Sequence, residues 1–217
     1  MDGPVTSFPT RPPRILVTGF SVFPGVPINP TEALVGILAD DPPTDGIEAF
    51  RAEVLAVEYE TIAGRLSAIG REFFPDIAIH FGLAGECRGF RLERMAHNTH
   101  ADARPDQVGA IPATLQICAG PETFPSTLPL RFIAERLAGA GLPVEWSDDA
   151  GGYLCNTAFT LSAAHVCDGL RPVMTGFIHV PPLKEAEPAK PNAMGIDDLV
   201  TGARIVIAAC VEAWHAA

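Results

Sequence analysis

The chain has 217 residues, enough for one substantial core and short for two, with 47% apolar and 19% charged residues, a globular composition. A formal net charge of −11 leaves no basic stripe, which argues against nucleic acid and anionic membrane surfaces as partners. Five cysteines, set singly at 87, 118, 155, 167 and 210, give neither a paired disulfide framework nor a CxxC spacing, and so fit a reducing cytoplasm.

Residues 1–13 are proline-rich, lack the apolar centre of a signal peptide, and read as a flexible tail; residues 14–217 read as a single α/β domain. Arg14–Thr18 is a short apolar run ending at Gly19, a buried first strand. A loop with two phenylalanines, Phe20 and Phe23, follows, and then a helix over about Thr31–Leu38. Ile47–Val57 alternates as a second strand. Thr61–Phe74 has helical spacing through Ile62, Leu66, Ile69 and Phe73, and it stops before Pro75. Asp76–Phe81 is a third, buried strand, so this stretch is a parallel βαβ unit.

From Leu83 to Pro125 glycine, proline, aspartate and asparagine recur without an apolar period. The segment reads as a long irregular excursion, with a short strand around Arg91–Met95 and a hairpin near Asn98. Excursions of that length inside a compact domain are usually functional. A helix over Leu128–Ala140, a strand at Val144–Ser147, an amphipathic helix over Asn156–Asp168 and a last strand at Phe177–Val180 come next. A proline-rich loop, 181–191, is placed to border a site, and Ile196–Trp214 closes the chain as a helix. No apolar run reaches membrane-spanning length. Alternating strands and helices of these lengths specify a three-layer α/β/α sandwich: a mostly parallel twisted sheet with helices on both faces.

The most suggestive residue is Cys155, between Gly151-Gly152-Tyr153-Leu154 and Asn156. Two glycines feeding a helix place it in the first turn, where unpaired N–H groups and the helix dipole favour thiolate. The plainer alternative is a small buried apolar residue, which cysteine often is. In an open α/β sheet the C-terminal strand ends share one edge, and that edge would gather Phe20, Phe23, Gly82, the 148–155 segment and His179. Cys155 with His179 as its base and a carboxylate behind the imidazole is then a candidate nucleophilic set. Taken singly, His179 also reads as a satisfied core histidine, and Glu93 beside Arg94 as a solvated pair.

Several stretches together carry a resemblance. They are Thr18-Gly19-Phe20 with Phe23, Gly25 and Asn29-Pro30; Gly82 with Ala84-Gly85 and Glu93 through Asn98; Asp149 through Asn156; and Gly176 through Pro181. In order and spacing this set resembles the pyroglutamyl peptidase I family of cysteine peptidases, over nearly the whole chain after the tail. The resemblance implies a triad of Glu93, Cys155 and His179, and a substrate pocket including Phe20, Phe23, Leu83 and Leu154. It also implies cleavage after an N-terminal pyroglutamyl residue through an acyl-thioenzyme, with no cofactor or metal, in a cytoplasmic homodimer or homotetramer. A flat uncharged lactam suits two aromatic faces and backbone hydrogen bonds, with no carboxylate for a free amine.

Departures from the family pattern keep alternatives open. Where the family commonly has Gly-Gln-Ala-Gly-Gly-Arg, this chain has Gly82-Leu83-Ala84-Gly85-Glu86-Cys87, with Arg88 one place later; Arg104 only approximates a family arginine. A relative with weakened catalysis that binds a small molecule or peptide is one alternative. A metal site of His97, His100 and Cys87 is another, on weak spacing in a loop without a second cluster.

Overall fold

The computed structural model describes residues 10–217 apart from Pro24 and Pro27, so most of the expected tail and part of the Phe20–Gly25 loop lie outside the described residues. At the end of that tail Arg11 is tied down: its guanidinium donates to both carboxylate oxygens of Asp76, at 2.7 and 2.9 Å.

Six strands and three helices come first along the described chain. They are β1 (Arg14–Phe20), α1 (Pro30–Asp40), β2 (Ala49–Leu55), α2 (Tyr59–Phe73), β3 (Ile77–Leu83), β4 (Phe90–Glu93), β5 (Met95–His97), β6 (Thr123–Pro125) and α3 (Leu130–Gly139). After α3 come β7 (Val144–Ser147), α4 (Leu154–Ala163), β8 (Met174–Val180) and α5 (Ile196–Ala216). Local chemistry accounts for several boundaries. Asn29 caps α1 by accepting from the Thr31 N–H, with Pro30 in the first turn. Helix α2 ends at Phe74, in the left-handed conformation (φ 49°), because the following Pro75 disfavours a helical residue there.

The main sheet has the strand order β2-β1-β3-β8-β4-β7. Strands β2, β1, β3 and β8 are mutually parallel, whereas β4 pairs antiparallel with β8 and parallel with β7. This corrects one expectation: β7 does not end at the edge shared by β1, β3 and β8, because Ser147 lies beside Glu93, and Glu93 lies opposite Phe177. The residues after β7 turn back, so that α4 starts at that edge. A separate two-stranded antiparallel pair, β5 with β6, stands in place of the hairpin expected near Asn98.

Helices α1, α3 and α5 cover one face through a core including Ile15, Val17, Ile79, Phe81, Phe90, Leu92, Ile178 and Val206. The other face packs Leu16, Phe20, Ala78 and Phe177 against Ile62, Leu66 and Ile69 of α2 and against Leu154, Ala158 and Phe159 of α4. The three-layer sandwich is thus present. Helix α5 corrects the sequence reading in one respect, since its 21 residues are long and apolar enough to cross a membrane by length and composition. Its apolar stripe, Leu199, Ala203, Val206, Cys210 and Trp214, is buried in the first core.

Helix α4 departs from the amphipathic expectation. It ends at Ala163 rather than Asp168 and is buried at Leu154 and throughout 156–162, because the excursion covers the flank turned away from the sheet. Polar side chains on α4 fasten that cover. Asn156 accepts from the His97 N–H at 2.9 Å and donates to the carbonyls of His97 (2.7 Å) and Thr99 (3.2 Å).

The irregular segment 98–122 is held by buried side chains acting in place of a ladder. The Asn98 amide donates to the carbonyls of Cys118 and Pro121 at 2.8 and 2.9 Å. Asp106 accepts from the N–H groups of Tyr59, Val108 and Ala110 at 2.9–3.0 Å. Burial would raise the Asp106 carboxyl, but these donors hold it below the usual carboxylate range.

Candidate active site

One cavity of about 350 Å³ opens where β1, β3 and β8 end, and Phe20, Phe23, Leu83, Leu154, Cys155 and His179 all line it. Glu93 does not reach the cavity; it is fully buried behind His179. Phe20 is the last residue of β1 and 3% exposed, so it is at once part of the core and a wall, whereas Phe23 is half-buried in the following loop. The loop is braced from α1: Asn29 donates to the Ser21 carbonyl (3.0 Å), and the Thr31 hydroxyl accepts from the Phe20 N–H (2.9 Å).

Strand register explains how Glu93 and His179, far apart in sequence, come together. Arg91 lies directly opposite His179 and Glu93 opposite Phe177, so Glu93 and His179 are diagonal neighbours on one sheet face. Glu93 Oε1 and His179 Nδ1 are 2.7 Å apart. A carboxylate only accepts, so Nδ1 carries the hydrogen and Nε2 is left for the cavity. Burial alone would drive the proton off His179. Hydrogen bonding and charge from Cys155, and then from Glu93, outweigh it and raise the pKa to about 9.

Cys155 is the second residue of α4, as the two-glycine turn implied. No side chain caps this helix start, so its first N–H groups remain available to a ligand. The sulfur sits where β3 has no side chain: a Cβ on Gly82 would stand 2.8 Å from Cys155 Sγ and 2.6 Å from the Phe177 ring. Gly82 is in register with His179, which brings the sulfur over the same strand pair as the imidazole. Gly152 has a similar constraint, since a Cβ there would lie 2.7–2.8 Å from Asp102, where the excursion packs on the turn before Cys155.

Folding also recruits wall residues that the sequence reading did not single out. Tyr153 packs on Phe23 with ring centroids 5.8 Å apart and carries the Arg104 guanidinium 4.7 Å above its own ring. Arg91 faces the cavity while paired to Glu145 at 3.0 Å. The only linear signal for Arg91 was its place in a strand beside Glu93, and strand order was needed to use it. Of the departures, Glu86 is exposed and Cys87 is buried in the core, while Leu83 and Arg104 reach the cavity. His97 and His100 bond to separate carbonyls, those of Asp148 and Thr114, and do not converge with Cys87. Among the described residues no three histidines, cysteines or carboxylates are grouped to hold a metal ion.

A family profile described as pyroglutamyl peptidase matches residues 13–213. The chain belongs to the pyroglutamyl peptidase family. It is 39% identical over 178 residues to the pyrrolidone-carboxylate peptidase of Pyrococcus furiosus, covering 79% of this chain and 82% of that one. It is 33% identical over 201 residues to that of Vibrio vulnificus, covering 92% and 93%. The crystal structure of the Pyrococcus furiosus pyrrolidone carboxyl peptidase superimposes with a TM-score of 0.84 at 34% identity, over 93% of this chain and 99% of that one. Family membership and the α/β sandwich therefore rest on independent likenesses of sequence and of structure.

Proposed function

We propose that the chain is a cysteine peptidase that releases N-terminal pyroglutamate, with Cys155 as nucleophile, His179 as general base and then acid, and Glu93 as the group that orients the imidazole. The observation that carries this reading is the buried Glu93–His179 contact at 2.7 Å, in a cavity wall shared with Cys155. The sulfur attacks the scissile carbonyl, and the carbon–nitrogen bond breaks as His179 protonates the leaving amine. Water, deprotonated by His179, then hydrolyses the thioester, releasing pyroglutamate and regenerating the thiol. The uncapped N–H groups at the start of α4 would receive the oxyanion.

Specificity follows from the walls. Phe20, Phe23, Leu83 and Leu154 offer apolar faces for a flat lactam; contrary to the expectation of a pocket without carboxylates, Asp102 and Asp149 also line the cavity, so selection of the uncharged ring rests on those apolar faces. Five free cysteines are in keeping with a reducing, cytoplasmic setting, and the resemblance adds a homodimer or homotetramer. Replacing Cys155 by Ala is expected to abolish release of the amine from a pyroglutamyl arylamide. Alkylation by iodoacetamide at pH 6–7 should be fast at Cys155 and slow at buried Cys87, Cys167 and Cys210. Turnover retained by Cys155→Ala would refute the reading; a slow Cys155 with intact binding would favour a non-catalytic binder.

A further inference from the structure

We propose that a second cavity, beside the one containing Cys155, receives the side chain of the substrate residue that follows pyroglutamate and selects apolar residues there. The proposal rests on the peptidase reading above and extends it to the leaving half of the substrate. The second cavity measures about 410 Å³ and shares Phe23, Leu83 and Arg104 with the first as a common wall. Its far side is built from the loop after β1, at Val26 and Ile28, and from the proline-rich segment after β8, at Pro182 and Ala186.

Continuity and chemistry both point to this occupant. A peptide cleaved at Cys155 extends from the sulfur in two directions. The acyl side is enclosed by Phe20, Val57 and Ala150, so the leaving segment must cross the wall toward open space. Leu83 ends β3 beside Val180, and the Ala84 N–H donates to the Val180 carbonyl at 3.0 Å. The segment starting at Pro181 therefore begins at the rim of the first cavity, which gives the 181–191 loop a role that the triad does not use. Phe23, Val26, Ile28, Leu83, Pro182 and Ala186 supply apolar side chains, and two of the three charged lining residues, Glu187 and Lys190, neutralise one another at 2.8 Å. Arg104 makes no ion pair among the described residues; Asp102 and Asp149 line the first cavity only, so on the side of the second cavity Arg104 brings a positive charge that disfavours a lysine or arginine side chain.

The test compares kcat/KM for pyroglutamyl-glycine amide, pyroglutamyl-leucine amide and pyroglutamyl-lysine amide. The leucine substrate should exceed the other two by about tenfold, the scale set by seating one apolar side chain in a pocket. Ala186→Trp, which fills the cavity, and Ile28→Asp, at a half-exposed position outside the core, should each erase the leucine preference while the glycine substrate is cleaved as before. Equal rates for leucine and glycine in the wild-type protein would overturn the proposal and leave the pyroglutamyl reading standing. So would a leucine preference that survives both variants, or a loss of all three substrates together. Failure of the wild-type protein to cleave even the glycine substrate would instead overturn the peptidase reading, and this proposal with it.

Discussion

Glu93 is the residue whose surroundings most constrain its role. It is fully buried, one carboxylate oxygen holds the His179 ring, and the other has no hydrogen-bond partner among the described residues. A buried carboxylate is costly unless charge is returned to it, and an imidazolium at 2.7 Å is the return. Glu93→Gln keeps the shape and removes the charge. The alkaline limb of the kcat/KM profile, set near His179's value of about 9, should then move to lower pH. Turnover at neutral pH should fall by roughly two to four orders of magnitude. A pH–rate series on both proteins checks this, and an unmoved alkaline limb would detach Glu93 from the imidazole.

Elements position the site through close approaches that a single atom would spoil. Strand β3 gives up a side chain at Gly82 so that Cys155 Sγ can lie over it. Gly82→Ala should leave the sheet formed, as judged by circular dichroism, but displace the sulfur. Displacements of about 1 Å are enough to lower kcat by about a hundredfold, which steady-state kinetics would reveal. On the other side of the sulfur, Asn156 ties α4 to the end of β5 and to Thr99 just beyond it by three hydrogen bonds to main-chain groups. Asn156→Ala would strand buried N–H and C=O groups and should cost about 2–3 kcal/mol in chemical denaturation. The preceding turn should loosen with it, raising KM for the arylamide.

At the scale of the whole molecule, two buried histidines on one sheet face respond to pH in opposite senses. His80 shares a 2.7 Å hydrogen bond with Thr18, and burial lowers its pKa to about 4. Its ring stacks on Phe177 (centroids 6.4 Å apart), which also contacts the His179 ring (4.8 Å). In the unfolded chain both titrate near 6.5. Below about 6.5 the unfolded chain takes up the proton that folded His80 refuses, so stability falls as pH drops toward 4. His179 works the other way: its contribution is complete below about 6.5 and is lost as pH rises through about 9. Thermal unfolding between pH 4 and 9.5 should therefore give a maximum between the two declines. His179→Gln should remove most of the alkaline decline and spare the acid one; an unchanged alkaline decline would assign it to other groups.

The family relation was legible because its motifs are local. The thiol after Gly151-Gly152, the histidine within a buried apolar run and the two phenylalanines at and just after the end of β1 each occupy a contiguous stretch. Periodicity likewise located α2, β7 and α5 closely, since each buries one regular stripe or pairs along one short run. Local pattern makes helix α4 longer and more amphipathic than it is, because its outer cover, β5 and the 98–122 segment, comes from a distant part of the chain. Strand direction was beyond local reach for the same reason. Only the assembled sheet runs β4 and β7 against β8, and that reversal sets Glu93 diagonally behind His179. The sequence by itself thus determined which residues carry reactive groups, because side-chain chemistry and short-range pattern are properties of neighbours along the chain. The tertiary structure alone decided which of them meet, because hydrogen-bond register and burial are settled between segments 86 residues apart, as Glu93 and His179 are.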